Sequence, residues 1–450
     1  MATKSATSSV ARKVPVALFI AAIAMLAQGL VARARHDDGR AGLPDPQEMA
    51  LLSLGRIGTP NVIKLWEERV QAVPGSATFR TQLASSNLAL AGETGDLSLY
   101  EKAEDIARSA VEIDPANESA NLTLASALSG QHDFGSALEL ADGVLARTPK
   151  SVGARIAAGD AHLELGEYDA ATKVYTELGQ ELPRAPSILS RRARIAALTG
   201  GLDQAVELAR QALIGAGADD LNTFTGAFYW FQLANYQYQT GRYDDAAAML
   251  RSALQVEPDH IGSTELLGKV LVAQGHLDEA TQLYEDLLQR TNAADLRGDL
   301  AKLYAYAGRS DDAQRQIELG FEIARTQAAK YPAERRHLIG FLADEDPAFA
   351  LQLARDDLEL RTDVQTYGWL AWSLLQAGEA DEAVTYVDEA LRLGTQDAWL
   401  LYQAGSVYAA VGDVDQARTQ LSAALDLNPE FDLVHAQRAR DLLASLPMGA

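Results

Sequence analysis

The sequence predicts an all-α fold, an α-solenoid of stacked helix pairs, because small residues, glycines and prolines recur with a fixed period. Alanines stand 34 residues apart at Ala103, Ala137, Ala171 and Ala205. Later alanines continue the spacing of 34 or 33 residues in two groups: Ala246, Ala280 and Ala313, then Ala383 and Ala417. A period of this length is typical of repeat proteins, in which each unit contacts mainly its neighbours.

Glycine and aspartate mark a turn inside each unit. A glycine stands five residues before the alanine, where it can end a helix in a left-handed turn: Gly166, Gly200, Gly241, Gly275, Gly308, Gly378 and Gly412. An aspartate stands two residues before the alanine, where its carboxylate can cap the next helix: Asp169, Asp203, Asp244, Asp278, Asp311, Asp381 and Asp415. Each unit is therefore predicted to be a helix, a tight turn and a second helix.

Prolines and small residues complete the unit. Proline cannot continue a helix interior, and it follows the alanine by twelve residues at the predicted end of five units: Pro115, Pro149, Pro183, Pro258 and Pro429. Twelve residues upstream of the alanine stand further small residues that allow paired helices to approach closely: Gly159, Ala193, Ala234, Gly268, Ala301, Ala371 and Gly405.

These residues resemble the tetratricopeptide repeat family, whose units carry small, aromatic and proline positions in this order. The resemblance covers Ala77 to Pro429 in about nine units, of which the one around Ala350 is degenerate. It implies a right-handed α-solenoid of antiparallel helix pairs with a concave face. We assign residues 60–429 to this solenoid.

After Pro429, an apolar stripe predicts a C-terminal capping helix, which shields the apolar surface of the last pair. The stripe consists of Leu433, Ala436, Ala439, Leu442, Leu443 and Leu446. We assign residues 430–450 to the capping helix and tail.

Three stretches depart from the period: Gly92 to Leu99, Ile214 to Gly226 and Gly320 to Asp363. Insertions in repeat proteins usually lie in loops, so loops are expected there. Function and neutral variation both remain as explanations, because loops often carry binding residues but also tolerate change.

The N-terminus carries Lys4, Arg12 and Lys13 before an apolar run from Val14 to Ala32. This pattern predicts either a cleaved export signal or a membrane anchor over residues 1–34, with membrane contact through residues 14–32 in the second case. Gly, Pro and charged residues predict a linker over residues 35–59. The repeats are thus expected outside the cytoplasm, secreted, periplasmic or membrane-anchored.

Charge and composition exclude several classes of function. The chain of 450 residues has a formal net charge of −23, so nucleic acid is not an expected partner, because proteins bind phosphate backbones through Lys and Arg. Cysteine is absent, which excludes disulfides and Cys-ligated metals. The seven histidines lack ligand spacing, and no hydrolase, zinc-protease or dinucleotide motif occurs. We therefore predict no catalytic residue, cofactor or metal.

Members of the resembled family bind peptides at the second, fifth, ninth and twelfth positions of the first helices. Carried over to this chain, those positions include seven candidate protein-binding residues: Phe228, Phe231, Asn235, Tyr238, Trp372, Trp399 and Tyr402. Aromatic side chains provide large contact areas at low entropic cost. Core packing is the alternative for each of them. A basic cluster offers a further candidate for an acidic segment, unless it is simply a solvated face: Arg184, Arg191, Arg192 and Arg194.

The sequence therefore favours an exported or membrane-tethered, non-enzymatic scaffold that binds a protein or peptide on its concave face, with a role in envelope assembly or transport. One alternative is a structural spacer without a groove ligand. The other is an enzyme with a site carried on the solenoid.

Overall fold

The computed structural model describes residues 60–221, 224–331 and 335–447, and in these ranges the regular structure consists of 22 α-helices without a strand. The predicted export signal or anchor and the whole of the predicted linker lie outside the described residues. Among the described helices, none combines the length and the apolar character that crossing a membrane requires.

The helices follow one another as consecutive antiparallel pairs. A first helix, α1 (Pro60–Ala72), precedes the pairs. The first five pairs are α2 (Ala77–Thr94) with α3 (Leu97–Ile113), α4 (Glu118–Gly130) with α5 (Phe134–Arg147), α6 (Val152–Leu165) with α7 (Tyr168–Glu181), α8 (Pro186–Leu198) with α9 (Leu202–Leu221), and α10 (Phe224–Gln239) with α11 (Tyr243–Val256).

The remaining pairs extend the same arrangement to the C-terminus. They are α12 (Ile261–Ala273) with α13 (Leu277–Leu288), α14 (Ala294–Tyr306) with α15 (Ser310–Lys330), α16 (Arg335–Glu345) with α17 (Pro347–Leu360), α18 (Val364–Gln376) with α19 (Ala380–Leu391), and α20 (Ala398–Ala410) with α21 (Val414–Leu427). The last helix, α22 (His435–Ser445), follows the pairs as predicted. The solenoid has ten pairs in its described part, one more than the nine expected, and the degenerate unit around Ala350 forms a complete pair.

The turns inside the pairs adopt the conformation that their glycines predict. Gly166, Gly200, Gly241 and Gly378 all have φ between 69° and 85°. The aspartates two residues before the alanines lie inside the first turn of the second helices, one residue after its start, and not at the N-cap. Their carboxylates therefore interact favourably with the positive, N-terminal end of the helix dipole. Side-chain caps come instead from other residues, such as Asp133, which accepts a hydrogen bond from the Ser136 amide at 3.1 Å.

Small residues on the first helices receive large side chains from the second helices. A Cβ atom on Gly268 would lie 2.0 Å from Cε1 of Tyr284, and one on Gly159 would lie 2.8 Å from Cζ of Tyr175. Both tyrosines are fully buried. The predicted close approach of paired helices therefore depends on the absence of a side chain at these positions.

The insertions in the repeat lengthen helices, which corrects the expectation of loops. Helix α2 has 18 residues, α9 has 20 and α15 has 21, whereas most of the others have 12 to 14. In the first pair only Gly95 and Asp96 separate the two helices. Extra residues with helical propensity extend an existing hydrogen-bonded helix more readily than they form a new loop.

The solenoid coils so tightly that its successive turns touch. The backbone N–H of Val364 donates to Tyr168 Oη at 2.8 Å, although 196 positions separate the two residues. Thr395 Oγ1 donates to the Leu198 carbonyl at 2.6 Å across 197 positions. The N–H of Glu430 donates to Tyr243 Oη at 3.1 Å across 187 positions. In each case the turn inside one pair contacts the segment that follows a pair much later in the chain.

A buried ion network lies at one of these contacts between turns. The Arg336 guanidinium contacts the carboxylates of Asp357 and Asp363, and the side chains of all three residues are at most 9% exposed. Arg361 donates to the other oxygen of Asp357 at 2.8 Å. The next residue, Thr362, donates its backbone N–H to the Leu165 carbonyl at the end of α6. The network therefore stabilises the part of α16 to α18 that meets the earlier turn.

Candidate functional site

The inner face, which we define as the surface formed by the first helices of the pairs, contains the predicted binding positions. On α10, Phe228 and Phe231 are buried, and the Phe231 ring lies 5.6 Å from that of His260. Asn235 and Tyr238, on the same helix, are half-buried. This part of the inner face thus presents Asn235 and Tyr238, while the two phenylalanines contribute to the core.

Helices α18 and α20 bring the other predicted residues together. The Trp372 ring centroid lies 6.0 Å from that of Trp399 and 5.5 Å from that of Tyr402. Phe431 and His435 complete this aromatic cluster, with Phe431 5.6 Å from Tyr402 and His435 4.4 Å from Trp399 at an interplanar angle of 90°. Edge-to-face and tilted arrangements at these distances are favourable aromatic contacts.

Phe431 and His435 belong to what we call the C-terminal segment, residues 428–435, which forms no regular helix before its last residue. Tyr238 Oη donates to the Phe431 carbonyl at 2.9 Å, and Asn428 Nδ2 donates to the Tyr238 carbonyl at 2.9 Å. Asn428 Oδ1 also accepts from Tyr243 Oη at 2.5 Å. The segment therefore joins α10 and α11 to the aromatic cluster on α18 and α20.

A charged cluster borders the C-terminal segment on the inner face of α12 and α14. Lys302 Nζ lies 3.0 Å from Asp432 Oδ2 and 3.3 Å from Asp299 Oδ1. Lys269 Nζ lies 3.1 Å from Glu265 and 3.9 Å from Asp299. Burial lowers the pKa of Lys302, but the carboxylates of Asp432 and Asp299 outweigh burial and raise it. The ammonium group therefore stays charged and can hold a carboxylate.

Sequence reasoning missed this charged cluster. Lys269 and Lys302 stand one position after the small residues Gly268 and Ala301, which is the ninth position of their helices. The positional rule that selected the aromatic residues would therefore have found both lysines.

His435 connects the two clusters electrostatically. Its side chain is 2% exposed, with Nδ1 2.7 Å from Asp432 Oδ1 and Nε2 3.3 Å from Asp344 Oδ2. Burial lowers the pKa of His435, but the hydrogen bonds to Asp344 and Asp432 outweigh burial and raise it above 6.5. Lys302 and Arg438 are the cations that face the ring, with Arg438 Nη1 3.4 Å from Nε2. The imidazolium form thus binds a carboxylate on each side.

We expect this arrangement to make stability decrease with rising pH. Because the folded-state pKa of His435 is raised, its contribution is fully present below pH 6.5 and is lost as the pH rises through the folded-state pKa. Urea unfolding between pH 6 and 9 should show a declining midpoint for the natural chain and a flatter profile for His435→Gln. Equal slopes for the two proteins would show that His435 does not carry this pH dependence.

The predicted basic cluster divides into internal ion pairs and surface side chains. Arg191 Nη2 lies 2.7 Å from Asp160 Oδ2, and Arg194 Nη1 lies 2.5 Å from Glu164 Oε1. These two arginines connect α8 to α6. Arg184 is exposed and Arg192 is half-buried. Within the described part of the chain, no group of three or more His, Asp or Glu side chains is arranged to hold a metal ion.

Comparison with known proteins identifies the repeats. Tetratricopeptide repeat models match residues 128–195, 237–293, 364–392 and 400–431. The Cellulose synthase operon protein C of Xanthomonas axonopodis pv. citri (strain 306) is 28% identical over 286 residues, which cover 63% of this chain. The match spans only 17% of that protein's own length.

Solved structures also align with the chain at low sequence identity. Yeast Tom70 aligns over 95% of this chain and 96% of its own at 14% identity, with a TM-score of 0.33. Cut9–Hcn1, a hetero-tetramer of the APC/C, aligns over 96% and 99% at 13% identity, with a TM-score of 0.32. MamA aligns over 38% of this chain and 96% of its own at 18% identity, with a TM-score of 0.33.

Proposed function

Because this chain carries tetratricopeptide repeats, we propose that it is a protein-interaction scaffold whose inner face binds an extended segment of another protein. The main observation in favour of this proposal is that the inner face already holds the C-terminal segment. It does so through the hydrogen bond from Tyr238 to the Phe431 carbonyl and through the Lys302–Asp432 ion pair. A hydrogen bond to a main-chain carbonyl does not depend on the side chain, so a foreign segment can form it as well.

The proposed binding residues are the seven predicted ones, in two groups. On α10 they are Phe228, Phe231, Asn235 and Tyr238; on α18 and α20 they are Trp372, Trp399 and Tyr402. Asn235 and Tyr238 contact the partner directly in this proposal, whereas the buried Phe228 and Phe231 act by holding α10 in place. Trp372, Trp399 and Tyr402 receive a partner side chain where Phe431 and His435 now pack.

We further propose that the scaffold is non-enzymatic and acts outside the cytoplasm, in envelope assembly or transport. The basic and apolar pattern of residues 1–34 supports export, either as a cleaved signal or as a membrane anchor. The relative from a cellulose synthase operon supports the envelope as its setting. The alternative is a structural spacer without a groove ligand. That hypothesis does not explain why an aromatic cluster lies beside a charged cluster on the same face.

Site-specific photo-cross-linking in the producing cells tests this function. The full-length chain would carry p-benzoylphenylalanine at Tyr238 on the inner face, or at Tyr306, which is 69% exposed at the end of α14, as the control. We expect a defined protein to be cross-linked when the photo-reactive residue replaces Tyr238 and not when it replaces Tyr306. Adding Tyr402→Ala to the chain with the photo-reactive residue at Tyr238 should weaken that cross-link. Identical products from both positions, or none from Tyr238, would favour the spacer.

A further inference from the structure

The C-terminal segment indicates which chemistry the inner face recognises. It presents Phe431 to the rings of Trp399 and Tyr402, with centroid distances of 5.9 and 5.6 Å. The next residue, Asp432, places its carboxylate 3.0 Å from Lys302 Nζ. An aromatic residue followed directly by a carboxylate thus fits two adjacent subsites, one aromatic and one cationic.

Phe431 and Asp432 are only partly enclosed by the inner face, so their binding to it can be reversible. Phe431 and Asp432 are half-buried, and so are Lys302 and Trp399. Asp432 also accepts hydrogen bonds from the backbone N–H groups of Val434 and His435 at 2.9 Å each, so it stabilises the start of α22. Withdrawing Phe431 and Asp432 therefore costs the ion pair with Lys302, the contact between Asp432 and His435, and the hydrogen bond from Tyr238 to the Phe431 carbonyl. It also costs the contacts of the Phe431 ring with Trp399 and Tyr402 and the capping of α22, but none of the pair-to-pair packing of the solenoid.

Charge complementarity supports an acidic partner segment. The chain as a whole carries a net charge of −23, yet this part of the inner face directs the Lys302 ammonium at the carboxylate of the C-terminal segment. Its other carboxylate partner, Asp299, is shared with Lys269, which also pairs with Glu265. Removal of Asp432 leaves Lys302 with Asp299 as its ion-pair partner, so an incoming carboxylate restores the lost interaction.

We propose that the inner face recognises an extended partner segment in which an aromatic residue precedes an aspartate or glutamate, and that Phe431 and Asp432 occupy its place until it binds. This inference rests on the proposed scaffold function. The C-terminal segment then acts as an internal competitor. It lowers the apparent affinity of the inner face for the partner segment in proportion to the fraction of time that Phe431 and Asp432 occupy the site.

Peptide binding to the full-length chain tests this directly. The probe is a fluorescein-labelled peptide of residues 428–435, Asn-Pro-Glu-Phe-Asp-Leu-Val-His, and its anisotropy is titrated. A Phe431→Ala/Asp432→Asn chain should bind the probe about tenfold more tightly than the natural chain, because its own segment competes less well. Adding Tyr402→Ala to that chain should weaken binding about tenfold by removing part of the aromatic subsite.

Matched controls separate recognition from general loosening. Phe349→Ala/Asp346→Asn also removes a half-buried phenylalanine and an aspartate that caps a helix, but at the start of α17. It should leave probe affinity unchanged. A probe with Phe→Ala and Asp→Asn at the positions of Phe431 and Asp432 should not bind either chain. Should the double variant fail to give the natural helical circular dichroism, Phe431→Ala alone supports the same comparison.

Equal affinity for the natural and Phe431→Ala/Asp432→Asn chains, or binding that ignores the probe's Phe and Asp, would overturn the proposal. The natural chain could instead become dimeric at high concentration, with the dimer abolished by Phe431→Ala/Asp432→Asn. A second copy of the chain would then occupy the inner face, and this result would also overturn the proposal. If the probe fails while a protein is still cross-linked from Tyr238, the scaffold function stands and only the recognition chemistry is wrong. Failure of both removes the function as well.

Discussion

Replacing Arg336 by methionine is expected to lower the free energy of unfolding by about 3–5 kcal/mol, the usual cost of breaking a buried ion pair from one side. The Arg336 side chain is 9% exposed and contacts Asp357 and Asp363, which are 1% and 7% exposed. Methionine fills a similar volume but leaves the Asp363 carboxylate without its cation. Urea unfolding monitored by circular dichroism measures the change.

Arg355 provides the matched control for this substitution. It also pairs with two carboxylates, Glu379 at 3.1 Å and Glu382 at 3.6 Å, but its side chain is 51% exposed. Arg355→Met should therefore cost less than about 1 kcal/mol, since exposed ion pairs contribute little. Similar losses for the two variants would contradict the assignment of Arg336 to a buried structural network.

Gly166→Ala should cost about 2–4 kcal/mol, because it combines backbone strain with a clash between successive turns of the solenoid. Gly166 has φ +85°, and a Cβ atom there would lie 2.5 Å from the Thr362 carbonyl oxygen. The steric part of the effect acts on the contact that joins α6 and α7 to the start of α18. Denaturant unfolding gives the loss of stability, and small-angle scattering should show a larger radius of gyration.

Gly378→Ala separates the effect of backbone strain from the effect of the clash between successive turns. Gly378 has φ +83°, but a Cβ atom there would meet no other atom within 4 Å. The strain of a left-handed alanine, about 1–2 kcal/mol, should therefore appear alone and without expansion. If Gly166→Ala and Gly378→Ala are equally destabilising and equally compact, the turns of the solenoid do not pack at Gly166.

Local chemistry made the pairs predictable. The glycine of each turn, exemplified by Gly166 and Gly378, needs positive φ, and the small residue of each first helix, exemplified by Gly268, admits a large side chain from its partner. Both requirements act within one unit of 34 residues, so they recur with the period. The lengths of α9 and α15 were not predicted, because an insertion with helical propensity gives no local signal that distinguishes a longer helix from a loop.

The contacts of the C-terminal segment lie beyond what the period can show. Whether Asp432 reaches Lys302, 130 positions earlier, depends on how far each pair rotates relative to the one before it. Small rotations accumulate over several pairs, and no single residue encodes them. The aromatic residues Trp372, Trp399 and Tyr402 were selected by position, but their packing against Phe431 and His435 follows from that accumulated coiling.

A double-mutant cycle on Lys302 and Asp432 tests most directly whether the C-terminal segment lies on the inner face. Unfolding free energies would be measured for the natural chain, Lys302→Met, Asp432→Asn and the double variant, with Lys102 and Glu67 as an exposed reference pair at 3.1 Å. We predict a coupling of about 1–3 kcal/mol for Lys302 and Asp432, in the range for residues in contact. A coupling no larger than that of the reference pair would contradict a C-terminal segment held against the inner face.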